Sequence, residues 1–178
     1  MARNAAAGDG GGTGSGPAGP GVRLPVRVHR ERLVNAPPAR VFEVIADAAV
    51  LPVWNACMEA RDVQGSFDTQ GSTFDATIEL LGMRFAGHGS VVAVERGHLV
   101  ALRVACTEHG GTSEWTYRLA GIDGSTRCSL DVACEESGTL VVLDHMFGRP
   151  ALEAAVERAA GRLLDNLAAV AELVPQPA

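Results

Sequence analysis

Between Thr73 and Cys134 the chain alternates apolar and polar residues in short runs broken by glycine turns. After Gly138 the period lengthens to that of a helix. Successive runs of period two joined by tight turns predict an antiparallel meander, because side chains on a strand point alternately to opposite faces. In the first run Phe74, Ala76, Ile78 and Leu80 alternate with Thr73, Asp75, Thr77 and Glu79. A hairpin closing at Gly82-Met83 sets Leu80 opposite Phe85, Ile78 opposite Gly87 and Ala76 opposite Gly89. One face then stays apolar throughout, and the two glycines on it are expected to leave empty volume. The next hairpin turns near His109-Gly-Gly111. It aligns Val100, Leu102, Val104 and Cys106 with Ser113, Trp115, Tyr117 and Leu119 on one face, and Arg103 with Glu114 on the other. Gly121 to Gly124 marks a further turn, after which Cys128, Leu130, Val132 and Cys134 face inward.

Beyond the meander, Thr139 to Phe147 is apolar and reads as a short helix or a mobile cover. Pro150 suits the first turn of a helix, where a missing N–H costs nothing. From there Leu152, Val156, Ala159, Leu163, Leu167 and Val170 recur at helical spacing as far as Leu173, a rod roughly 36 Å long.

Ahead of the meander, Val26 to Val34 alternates as a first strand. Pro37-Pro38 then opens a nine-residue helix with Val41, Phe42, Val44 and Ile45 on its apolar face. Pro52 punctuates a second short helix containing Val53, Trp54 and Cys57. Residues 1–22 are rich in Gly and Ala with little to bury, and are expected to be a disordered tail. Residues 23–174 are expected to form a single domain.

Composition excludes several functions. The net charge is −6 and the arginines form no continuous stripe, so no nucleic-acid partner is expected. All 15 basic residues are arginine, which with abundant Ala, Gly and Val suggests a GC-rich, bacterial coding genome. The four cysteines show no metal-finger or CxxC spacing, and Cys128 and Cys134 on one strand cannot pair. Free thiols in a chain with no signal-peptide pattern and no apolar run of 18 residues point to the cytoplasm. The five histidines have no partners at metal spacing, so neither a metal nor a cofactor is expected.

The Ala36-Pro-Pro start, the Ile45-Ala-Asp47 stretch, Pro52-x-Trp54, the Gly124-Ser-Thr-Arg127 turn and the Ala-rich last helix carry a resemblance. Together they resemble the polyketide cyclase/dehydrase branch of the START-like, or SRPBCC, superfamily. That resemblance implies an α+β helix-grip fold of the Bet v 1 type. In it a first strand, two short helices and a curved six-strand antiparallel meander wrap one long C-terminal helix. It also implies an internal cavity for a small hydrophobic ligand such as a polyketide, lipid or aromatic metabolite. The alternatives are a cyclase or dehydrase acting on a poly-ketone, and a protein-interaction module using the same groove.

Inward-facing Phe74, Ile78, Phe85, Leu102 and Leu130 are the aliphatic and aromatic candidates for contact with such a ligand. Trp54, Trp115 and Tyr117 add flat rings and the best orienting hydroxyl. His145 and Met146 join them because they precede the long helix, over one end of the cavity. General acid–base chemistry needs a group titrating near the working pH. This lining offers only Tyr117 and thiols, so no catalytic residue is assigned and binding is the leading expectation.

Overall fold

The computed structural model describes residues 25–135 and 138–173. The tail expected over residues 1–22 lies outside them. Strand β1 (Val26–Val34) leads into helices α1 (Pro38–Ala46) and α2 (Leu51–Trp54). Six strands follow: β2 (Met58–Gln64), β3 (Thr73–Leu80), β4 (Met83–Glu95), β5 (Leu99–Cys106), β6 (Thr112–Ile122) and β7 (Ser125–Cys134). Helices α3 (Thr139–Phe147) and α4 (Arg149–Glu172) complete the chain. The seven strands form one antiparallel sheet in the order β1-β7-β6-β5-β4-β3-β2.

Helix α4 lies against the inner face of this sheet and buries Leu152, Val156, Ala159, Leu163 and Leu167. Its 24 residues match the length read from the periodicity. Strand β1 shows how the sheet is clipped to the helix. Val26, Val28 and Val34 of its inner row are buried, but Arg30 and Arg32 in the same row reach out to α4. Arg30 meets Glu157 at 3.1 Å and Arg32 meets Asp165 at 3.2 Å. Half-exposed pairs of this kind orient the helix more than they stabilise it.

Helix α1 begins with Pro38 in its first turn and buries Val41, Phe42, Val44 and Ile45, as the pattern predicts. Helix α2 ends at Trp54, so Cys57 falls outside it, contrary to the sequence reading. The reason is Asn55, whose buried Oδ1 accepts the N–H groups of Cys57 (3.2 Å) and Met58 (3.0 Å) and turns the chain into β2. Such side-chain competition for backbone donors is the ordinary way Asn stops a helix.

Two details of the meander differ from the sequence expectation, and a bulge adds a third feature. The β3–β4 hairpin pairs Leu80 with Met83 and Ile78 with Phe85, two residues away from the expected register. Leu81 and Gly82 both adopt positive φ, 53° and 75°. That is the two-residue turn whose twist matches a hairpin, and it fixes the register. The inner face survives because the slip is an even number.

The glycines do not leave space. The position where a Cβ of Gly89 would stand is occupied by the ring of its cross-strand partner Phe74. A Cβ at Gly87 would stand 2.7 Å from the Ala105 carbonyl. Both glycines permit close approach in a tightly curved sheet. Finally, the register of β4 against β5 shifts between Val91 and Ala93, a bulge. The alternation therefore changes phase, so Val94 rather than Ala93 packs against the core.

Candidate functional site

An apolar cavity lies between the inner face of the sheet and helices α3 and α4. Ile78 and Phe85 wall it from the β3–β4 hairpin, Trp115 and Val132 from β6 and β7, and Leu140, Leu143, Val156 and Ala159 from the helices. The free volume is about 60 Å³. By the same measure one water needs roughly 10–15 Å³, so the space is narrow.

Its position follows from what fills the rest of the interior. Helices α1 and α2 occupy the other end, where Trp54 stands edge-on to Tyr117 with ring centroids 5.9 Å apart and planes at 85°. Both rings are fully buried. Their polar atoms, Trp54 Nε1 and Tyr117 Oη, have no hydrogen-bond partner among the described residues, and neither has Asn55 Nδ2.

The near end is closed by α3. Thr139 donates its N–H and its hydroxyl to the Gly110 carbonyl, each at 3.2 Å, which ties the start of α3 to the β5–β6 turn. Gly138 approaches the His109 carbonyl so closely, and with φ of 57°, that no side chain fits there.

Polar groups on the cavity wall are few. The Trp115 indole donates to Ser113 Oγ at 3.1 Å, which leaves that nitrogen occupied. Cys57, Cys106 and Cys134 line the space, and Glu79 and Glu135 stand among the lining residues. Burial pushes the Cys57 thiol up to about 11 and the Cys134 thiol to about 12, and it raises Cys106 as well. At neutral pH these are thiols, not thiolate nucleophiles. Burial also holds the Tyr117 phenol well above its usual value, and that residue does not line the cavity. Apart from these groups the wall is apolar.

Comparison with known proteins places this architecture. Residues 25–172 match the model of the family described as polyketide cyclase / dehydrase and lipid transport. The chain belongs to this family. No curated protein gives a significant match. Among solved structures, the Zhui aromatase/cyclase from Streptomyces sp. R1128 is similar with a TM-score of 0.62. It shares 19% identity, over 84% of this chain and 94% of that one. TTHA0849 from Thermus thermophilus is similar at 0.63 and 16% identity, over 82% of this chain and 97% of that one. Ara h 8.0201 is similar at 0.59 and 13% identity, over 82% and 97% respectively. At these identities the likeness is one of fold.

Within this member of the polyketide cyclase / dehydrase and lipid transport family, the residues singled out from the sequence divide into three groups. Ile78, Phe85 and Trp115 line the cavity. Trp54, Phe74, Leu102, Tyr117 and Leu130 are buried in the solid core around it. His145 and Met146 sit on the outer side of α3, with Met146 59% exposed. The cavity-lining residues absent from that set include Cys57, Leu140, Leu143, Val156 and Ala159. For the helical ones the signal is the period of α3 and α4, which marks a core face without showing where that face is left uncovered.

Proposed function

We propose that this domain binds a slender hydrophobic molecule, a lipid or linear polyketide chain, in the cavity between the sheet and helices α3 and α4. The observation that carries the reading is the apolar wall of Ile78, Phe85, Trp115, Val132, Leu143 and Val156 around a narrow space. Sites for drug-sized ligands usually occupy about 300–1,000 Å³. A space of about 60 Å³ suits a single alkyl chain better than a fused-ring system. Each methylene buried there contributes about 0.8 kcal/mol.

Family membership supports either ligand binding or cyclase chemistry in general. The wall favours binding, since no histidine or tyrosine lines it, its thiols stay protonated, and its two carboxylates, Glu79 and Glu135, belong to solvent-exposed residues. All four cysteines are free, which fits a reducing compartment such as the cytoplasm. Among the described residues no helix is long and apolar enough to cross a membrane.

Titration calorimetry with decan-1-ol tests the reading. Binding is expected with a negative heat-capacity change, the mark of apolar surface leaving water. Absence of heat at every temperature, with no shift in melting temperature, would show that the cavity does not take an alkyl chain.

A further inference from the structure

Outside the cavity a second depression opens between the β3–β4 turn and α4. Cys57, Glu79, Leu80 and Ala159 wall both spaces, so the two adjoin. The outer groove holds about 230 Å³, several times the free volume inside. Its charged residues are Arg158 and Arg162 on α4 and Glu79 on β3. The two arginines are four residues apart, so they sit on the same face of the helix.

Most of the described arginines are paired. Arg30, Arg32, Arg40, Arg61, Arg84, Arg96, Arg103, Arg118 and Arg149 each meet a carboxylate within 4.0 Å. Arg158 and Arg162 meet none among the described residues, and no hydrogen bond occupies either guanidinium there. Arg27 and Arg127, on the outward rows of β1 and β7, share the unpaired state of Arg158 and Arg162 but line no part of this groove. Glu79 lines the same groove without pairing with Arg158 or Arg162. In a protein of net charge −6, two adjacent cations left uncompensated beside an apolar cavity need a reason. The Arg162 charge is also felt at the cavity wall, where it opposes the effect of burial on the Cys57 thiol.

We propose that this groove binds the anionic head of a single-chain amphiphile whose tail lies in the cavity, with Arg158 and Arg162 holding a carboxylate or phosphate. The inference rests on the cavity reading above and extends it to the polar end of the ligand. The inner space is too small for a whole amphiphile, and the adjoining groove supplies the remaining room. Guanidinium groups present planar forks of N–H donors that match carboxylate and phosphate oxygens. Glu79 on the opposite wall steers the anion towards the helix side. A cationic head would meet two like charges and only one partner.

The test compares decanoate, decyl phosphate and decan-1-ol on the full chain, and on the double variant Arg158→Gln/Arg162→Gln. Both substitutions are on the exposed surface, so folding is preserved and is checked by melting temperature. Wild type is expected to bind at least one anion about tenfold or more tighter than the alcohol, with the preference shrinking as salt is raised. The tighter of the two anions names the head group. The double variant is expected to lose the preference while still binding the alcohol. Equal binding of alcohol and anions by wild type overturns the head-group site and leaves the cavity reading intact. A preference that survives in the double variant overturns the assignment to these arginines. Failure of all three probes overturns the cavity reading and the head-group site together.

Discussion

Between pH 9 and 11 this domain is expected to lose several kcal/mol of stability, although every salt bridge to arginine in it stays charged. The cause is the buried thiols. Burial raises Cys57 to about 11, and Cys128 and Cys134 to about 12, from an ordinary value of 9.0. Below pH 9 each thiol is protonated whether the chain is folded or unfolded, and stability does not depend on it. Above pH 9 the unfolded chain releases these protons while the folded chain retains them. Stability therefore falls as pH rises, until each folded-state value is passed.

The slope is about 1.4 kcal/mol per thiol per pH unit, or roughly 4 kcal/mol per unit for three. A domain of this size has on the order of 5–15 kcal/mol to lose. Buried Tyr117, the chain's one tyrosine, acts in the same direction above pH 10. The chain has no lysine, so the usual alkaline loss of ammonium charge does not confuse the result. Urea unfolding at pH 8 and pH 10 should give free energies differing by about 4 kcal/mol, and a Cys128→Ala variant should show a shallower dependence. A difference under about 1 kcal/mol would mean that the thiols ionise freely in the folded state.

Replacing Trp54 by alanine will cost about 3–5 kcal/mol, the range for removing a large aromatic from a packed core. The indole has no exposed surface and packs against Tyr117. The Trp54 carbonyl accepts a hydrogen bond from Asn166 Nδ2 of α4 at 3.3 Å. The ring packs α2 against β6, and its loss opens a void there, while the carbonyl tie to α4 survives the substitution. The unpartnered indole nitrogen makes the comparison with phenylalanine informative. Trp54→Phe removes no hydrogen bond, so it should cost well under half as much. Denaturant midpoints of the two variants decide it. Equal losses would show that the nitrogen is bonded in solution, and a small loss for alanine would show that the site collapses to fill the void.

The fold was legible wherever one physical signal acted alone. Period-two alternation located β3 to β7, and the Pro37-Pro38 pair located α1, because a single buried face imposes both patterns. Strand β2 was visible only through the family resemblance. Its sequence, Met58-Glu-Ala-Arg-Asp-Val-Gln64, lies at the sheet edge where little is buried, so no alternation is selected. The β3–β4 register was misread because positive φ at Leu81, a residue that rarely adopts it, has no composition signal.

The site was less legible than the fold. Ile78 and Leu130 look alike as inward-facing aliphatic residues, yet one meets the cavity and the other does not. The difference is made by Trp54 and α1 filling one end of the sheet while α3 bridges the other. That is a property of the assembled elements and not of any one of them.

Ala159 gives the most direct test of whether an alkyl chain enters the space between the sheet and α4. This residue walls both the cavity and the outer groove and is 6% exposed. Ala159→Leu adds three carbons to a space of about 60 Å³ without adding a polar group. Calorimetric titration of the variant with decan-1-ol should give an affinity at least tenfold weaker than wild type, with the melting temperature unchanged or raised. Wild-type affinity in a folded Ala159→Leu protein would place the ligand elsewhere and contradict the account.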